Sequence, residues 1–384
     1  MAATEGYAAP ETLRVFSHTR DLLGEGGTST EQMTVLWSTY LAHSIRAEHT
    51  AALEVARQCL ALAAEHEHPG MAALANRFMG QTLWMMGAFL DARFHLERAL
   101  DLCAAHQETI TSYRRFGVDD GVSALSALSR TLWILGYPEQ AAAAAGQALV
   151  RARTMGLAFT TALALDNEAL LGALGADLKR AAVHADEAMA HTIEHGIADY
   201  EHRARFIQGA LLAQSGNPQR GIELMRKAIA AADSSAARHR RTLYLGHVAA
   251  AHATLGQPEA GLALLDEAIQ TAEKTDQRFF EAELCRLRGE MLLMLGRRDE
   301  AEAGLRWALT IAQRQQARWW ELRAATTLAK QWRHEGKYLE AFSLLQPVYG
   351  WFVEGFDTPS LKDAQALLGE LRDLSGAQTQ ARRG

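Results

Sequence analysis

Metal ligation, thiol chemistry and carboxylate recognition are the three chemistries suggested by residue type and spacing. For metal, Glu65-His66-Glu67-His68 and the His191, Glu194, His195 set offer imidazoles within one helical turn. The first set falls at a helix end, where histidines suit the dipole and water. The second lacks a third ligand. Cys59, Cys103 and Cys285 lie inside apolar helical stretches and read as core thiols. No Gly-x-Ser-x-Gly, Cys-x-x-Cys or His-Glu-x-x-His occurs, and Gly24–Gly27 lacks the lysine of a phosphate loop and reads as a linker. No catalytic, cofactor-binding or metal residue is assigned, and the expectation is a protein that is not an enzyme.

Arginine is the remaining candidate, since its planar fork matches carboxylates and, beside an exposed aromatic ring, it dominates binding hot spots. Which arginines are available depends on the elements that carry them. The chain has 384 residues, a net charge of -6 and a pI near 6.2, which gives no general attraction to phosphate backbones, so nucleic acid is not expected as a partner. Three cysteines, an odd number, suit a reducing compartment and hence the cytoplasm. No export signal or run of 18 apolar residues is present, so no membrane association is expected. Alanine and leucine are abundant, only seven prolines occur, and strand-like alternation is absent, which implies an all-α fold.

The decisive feature is an internal period. Gly216, Gly256, Gly296 and Gly336 are spaced by 40 residues, and Ala148-Leu149, Ala188-Met189, Ala228-Ile229, Ala268-Ile269 and Ala308-Leu309 keep the same interval. Within a unit a small residue is followed seven later by glycine, five later by a small residue and seven later by alanine: Gly80, Gly87, Ala92, Ala99, then Gly209, Gly216, Gly221, Ala228, then Ala249, Gly256, Gly261, Ala268, then Gly289, Gly296, Ala301, Ala308. This is the tetratricopeptide signature, stretched beyond its usual period of about 34 residues. The small residues belong where two antiparallel helices cross, and the glycine belongs in the turn, at positive φ. HEAT-type repeats share the length but not this register.

Eight units follow, starting at Met33, Ala73, Val122, Ala162, His202, Thr242, Ala282 and Leu322. The expected fold is a right-handed superhelical solenoid of about eight antiparallel helix pairs, spanning 31–357. The second step carries nine extra residues, placed as a loop or short turn at 107–121. Ala47 and Ala176 replace the turn glycine in two units. Residues 1–30 read as a helix, Pro10 to Leu23, with a Gly-rich linker and an N-cap among Thr28, Ser29 and Thr30. Residues 358–384 read as a capping helix from Thr358-Pro359-Ser360 to about Leu374 and a disordered tail.

The flanking words Gly6-Tyr7-Ala8-Ala9-Pro10-Glu11, Arg318-Trp319-Trp320-Glu321-Leu322-Arg323-Ala324-Ala325-Thr326 and Pro347-Val348-Tyr349-Gly350-Trp351-Phe352-Val353-Glu354-Gly355-Phe356-Asp357-Thr358-Pro359 resemble the C-terminal repeat module of bacterial multidomain signalling proteins. In that family a class III nucleotide cyclase or winged-helix domain precedes a STAND-type ATPase and then such repeats. The resemblance covers essentially the whole chain and implies a sensor or scaffold module. The sequence carries no cyclase, winged-helix or ATPase segment, so it reads as a fragment or a shortened relative.

In this architecture the first helix of each pair lines the concave groove. Its second, fifth, ninth and twelfth positions select Trp37, Arg77, Gln81, Trp84, Arg130, Trp133, Asp166, Arg203, Phe206, Arg286, Glu290, Arg323, Lys330 and Arg333. The many arginines suggest a protein or peptide partner with acidic groups or a C-terminal carboxylate. Arg77, Arg130 and Arg286 are the natural trio to remove. Trp319-Trp320 and Trp351-Phe352 read as packing residues in preference to an aromatic platform, and Trp332 as core.

Overall fold

A computed structural model describes residues 14, 18, 27–106, 118–175 and 177–381 of the chain. Among them, seventeen α-helices and no strand are found. They form eight antiparallel pairs: α1 Ser29–Ile45 with α2 His49–Glu65, α3 Pro69–Met85 with α4 Phe89–Ala105, α5 Asp120–Leu135 with α6 Pro138–Met155, α7 Ala158–Leu174 with α8 Leu178–His195, α9 Ala198–Gln214 with α10 Pro218–Ser234, α11 Arg241–Thr254 with α12 Pro258–Thr275, α13 Glu281–Met294 with α14 Arg298–Arg314, and α15 Arg318–His334 with α16 Tyr338–Tyr349. A final helix, α17 Pro359–Ala381, packs on α15 and α16. The fold is a tetratricopeptide-type solenoid.

The small-residue register sets the helix crossings. A Cβ added to Gly209 would lie 2.8 Å from the Gly221 carbonyl oxygen, and one on Gly221 would lie 2.5 Å from that of Gly209. Backbone therefore meets backbone where α9 and α10 cross, and an alanine at either position would force the helices apart.

Seven within-pair turns place one residue in the left-handed region: Gly87, Gly136, Gly216, Gly256, Gly296 and Gly336, with Ala47 taking the same conformation at φ 62°. Ala176 lies outside the described residues. A second series, at the turns between pairs, was not read from the sequence: Glu67, Gly156, Gly196, Ala236, Asp276 and Gln316 are also at positive φ. Most of these are not glycines, so composition hid them.

At the start of the array Thr28 and Glu31 form a capping box. The residues expected to form a loop after α4 divide in two. Gln107 to Gly117 lie outside the described residues, whereas Asp119 caps α5 by accepting from the Val122 amide at 2.8 Å, so Asp120 and Gly121 already belong to the helix. Of the expected Pro10 to Leu23 helix only Arg14 and His18 are described, both helical. The closing helix begins at Pro359 and runs past Leu374 to Ala381, through residues expected to form a tail.

The solenoid winds tightly enough to return on itself. The Ile45 carbonyl, at the end of α1, accepts from the amides of Arg238 (2.8 Å) and His239 (3.1 Å). One pair later, the Met85 carbonyl accepts from Arg278 (2.8 Å) and Phe279 (3.2 Å). At the third pair, Trp133 packs against Trp319 with centroids 4.6 Å apart, and Glu354 accepts from the Glu139 amide at 2.9 Å. Gly355 comes so close to Pro138 that a Cβ there would lie 2.1 Å from its Cγ. Pairs one to three thus form a seam with pairs six to eight, and the concave face becomes a channel.

Candidate ligand-binding channel

The first helices of the pairs face this channel. Its N-terminal section is a chamber of about 170 Å³, lined by Trp37, Arg77, Gln81, Trp84, Arg130, Asp166 and Arg203 among others. Farther along, cavities of about 400 Å³ and 870 Å³ are both lined by Arg286, Glu290 and Arg323, with Lys330 in the larger.

In the chamber Arg77 donates to Asp120 at 2.7 Å and to Gln81 at 3.0 Å. Asp166, buried on α7, accepts twice from Arg240 at 2.9 Å and 2.5 Å and lies 3.8 Å from Arg203, which also pairs with Asp199 at 3.6 Å. Burial pushes the Asp166 carboxyl up, but Arg240 and Arg203 outweigh it and hold it below its ordinary value. Among the described residues Arg130 has no carboxylate within ion-pair distance; its guanidinium lies over the Trp84 ring at 5.0 Å. Burial, reinforced by Arg240, lowers its pKa to about 10, so it stays charged at neutral pH. Side-chain atoms of this chamber left without a hydrogen-bond partner are Trp84 Nε1, Ser123 Oγ, Ser126 Oγ, Arg130 Nε, Arg203 Nε and His239 Nδ1.

The C-terminal section is organised differently. Arg286 donates to both oxygens of Glu283, at 2.8 Å and 2.7 Å, and pairs with Glu290. Arg323 reaches Glu283 at 2.9 Å. Burial raises the Glu283 carboxyl, but Arg286 and Arg323 prevail and hold it below the usual carboxylate range. Lys330 pairs with Asp363 at 2.7 Å, and Arg333 pairs with Glu370 on α17.

Three residues expected on the groove lie elsewhere. Phe206 is fully buried and stacks on Tyr244 at 3.9 Å, because α9 is wrapped by its neighbours at that position. Trp133 belongs to the seam, against Trp319 and the Gly175 backbone. Arg333 points to the capping helix. Of Arg77, Arg130 and Arg286, only Arg130 lacks a carboxylate partner, so the trio is not a set of equivalent free cations.

Sequence reading passed over Ser123 and Ser126, although they occupy the second and fifth positions of the third unit and the same count selects them. His239 and Arg240 sit in the connection before α11, outside the repeat register, and no sequence signal marks them. The cysteines are buried, and burial lifts Cys59, Cys103 and Cys285 to about 12, far from thiolate chemistry at neutral pH. His68 accepts from the Gly70 and Met71 amides and so caps α3, not merely ending α2. His191 Nε2 lies 2.8 Å from the Ala158 carbonyl. No cluster with metal-ligand geometry occurs among the described residues. Trp319, Trp320 and Trp332 are core residues, and Phe352 is buried at the seam.

No family model matches the chain. An uncharacterised protein of Rhizobium meliloti (strain 1021) is 26% identical over 318 residues, a match covering 79% of this chain and 29% of the relative. The chain therefore spans under a third of that relative's length. Among solved structures, a Rap protein complexed with competence and sporulation factor superposes with TM-score 0.61 at 15% identity, covering 80% of this chain and 81% of that one. A Rap conjugation gene regulator of plasmid pLS20, in complex with the Phr peptide, gives 0.57 at 10% identity over 94% and 92%. The APC/C hetero-tetramer Cut9-Hcn1 gives 0.57 at 13% identity over 94% and 59%. These likenesses establish the tetratricopeptide-type fold. Among the described residues no helix is long and apolar enough to cross a membrane.

Proposed function

We propose that this chain is a non-catalytic, cytoplasmic interaction module that binds a protein or peptide partner in its concave channel. The observation that carries the reading is the convergence of first-helix side chains from five successive pairs, with Arg240 from the next, on one partly apolar chamber whose polar atoms are incompletely satisfied. Buried polar groups are nearly always partnered in proteins, so such a set favours a guest that brings acceptors. Two of the similar solved structures are complexes, one with competence and sporulation factor and one with the Phr peptide, which supports the same use of this fold. The arginines and the modest size of the chamber favour a carboxylate-bearing partner, and the acidic chain is a poor match for nucleic acid.

A second reading is that the module regulates an effector domain of a bacterial signalling ATPase, nucleotide cyclase or transcriptional regulator. The observation favouring it is that the Rhizobium relative is more than three times as long as its matched part.

The test is capture of partners by the full chain and by a Leu41→Glu/Gln81→Glu variant. Both positions are half-buried in the chamber wall, and the carboxylate introduced in place of the Gln81 amide can still accept from Arg77. A partner held by the native chain and released by the variant supports the channel. Equal retention moves the site to the convex face.

A further inference from the structure

Among the described residues four guanidiniums border the chamber, Arg77, Arg130, Arg203 and Arg240, against three carboxylates that pair with them, Asp120, Asp166 and Asp199. Arg240 and Arg203 share Asp166, and Arg77 takes Asp120. The positive charge in excess is that of Arg130. Its guanidinium is held by the Trp84 ring without being neutralised by it.

Around Arg130 the side-chain atoms without partners are mostly donors. Ser123, Ser126 and Arg130 follow one another at successive turns of α5 along one stripe, and both serines are only 1% exposed. Trp84 Nε1 is donor-only, and so are the Arg130 and Arg203 Nε atoms. A serine hydroxyl can turn to donate. His239, buried among Arg203 and Arg240, is kept well below its ordinary pKa, first by burial and then by those arginines, and so adds no charge of its own at neutral pH. Such a site offers more donors than acceptors and has one positive charge to spare.

Resting on the reading of the channel as the ligand site, we infer that this chamber binds a single carboxylate group carried on a short apolar stem, with Arg130 and the Ser123–Ser126 stripe as its anchor. A carboxylate has one negative charge, matching the excess, and its two oxygens accept from the guanidinium fork and the hydroxyls together. The rest of the wall, including Leu163, Leu170 and Phe279, is apolar. The volume of about 170 Å³ is close to that of a cavity that takes one benzene ring, so the inserted part is a chain end or a small acid and not a length of folded peptide. A phosphate dianion would overshoot the charge.

The test is isothermal titration of the full chain with 3-phenylpropionate, N-acetylphenylalanine, inorganic phosphate and the amides of both acids. Saturable binding of either acid is expected, with each amide and phosphate at least about tenfold weaker. Arg130→Gln should lose about tenfold or more, the scale of one charge-assisted hydrogen bond. Ser126→Ala should lose about threefold or more. Arg130 makes no ion pair, so its variant should keep the native melting temperature, and Ser126→Ala repeats the test with a change of one atom.

Tighter binding of N-acetylphenylalanine points to a peptide C-terminus, and tighter binding of 3-phenylpropionate to a free acid; both support the site. Absence of saturable binding up to about 10 mM, amides equal to acids, phosphate equal to or tighter than the acids, or unchanged affinity in both variants overturns it. If these titrations fail while Leu41→Glu/Gln81→Glu still releases the captured partner, the carboxylate site falls and the channel reading stands.

Discussion

Arg130 and Arg286 both lie on first helices facing the same channel, yet one is unpaired and the other is held by two carboxylates. The difference is local. One turn either side of Arg286 stand Glu283 and Glu290, at spacings that bring side chains together on a helix. One and two turns before Arg130 stand Ser126 and Ser123, which are too short and uncharged to do the same. An arginine on a concave face therefore has charge to offer a guest only where neighbouring carboxylates do not already pair with it. The C-terminal section is wider, but its Arg286 and Arg323 are held by Glu283 and Glu290, whereas the N-terminal chamber is narrow and holds Arg130 without a carboxylate.

Removing Glu283 is the strongest way to break this contrast. Glu283→Gln leaves Arg286 with Glu290 alone and Arg323 without its partner, and the cost of uncovering buried charge should be about 3–5 kcal/mol in urea unfolding. Part of that loss should return on adding acetate, because the C-terminal section then resembles the chamber. A loss below about 1 kcal/mol would show that Glu283 is not what occupies these arginines.

Acid should sharpen the comparison by asking whether both sections are equally dry. His49, near the seam beneath the chamber, and His247, in the C-terminal section, are each lowered by burial to about 4 from 6.5; Asp276 and Glu283 respectively oppose the shift. Between those values the unfolded chain binds the proton and the folded chain does not, so stability falls as pH falls from 6.5 towards 4. By pH 5 the loss should reach about 2 kcal/mol per histidine. Denaturation at pH 7 and pH 5 should show each of His49→Gln and His247→Gln flattening the slope by a comparable amount. A flattening from only one locates the drier section.

The smallest effect belongs to the outer rim. Glu370, half-exposed, pairs with Arg333 across to the capping helix. Glu370→Ala should cost no more than about 1 kcal/mol in the same assay, since exposed pairs are weak. A cost matching that of Glu283→Gln would erase the distinction between rim and channel.

Much of the architecture was legible. The 40-residue register located the helix crossings at Gly209 and Gly221 and the turn glycines, because both depend on contacts within one unit. Most of the side chains selected by the count of second, fifth, ninth and twelfth positions also line the channel. It misplaced Phe206 and Trp133, since burial at those positions depends on neighbouring pairs and on the returning turn of the solenoid. Trp319, Phe352, Glu354 and Gly355, in words by which the chain resembles signalling proteins, turn out to form the seam. Their role could not be read locally because their partners, Trp133, Pro138 and Glu139, lie far away in sequence.

The sequence by itself determined the repeating unit: which residues form helices, where each pair turns, and which helix face is small enough to cross its neighbour closely. These follow from periodicity and backbone sterics over about 40 residues. Only the tertiary structure decided that the array closes on itself, and hence that Arg240, from a connection outside the register, meets Asp166 from 74 residues earlier in a chamber where Arg130 stands unpaired. Superhelical pitch is the sum of small rotations at every interface between pairs, and no single repeat contains that sum.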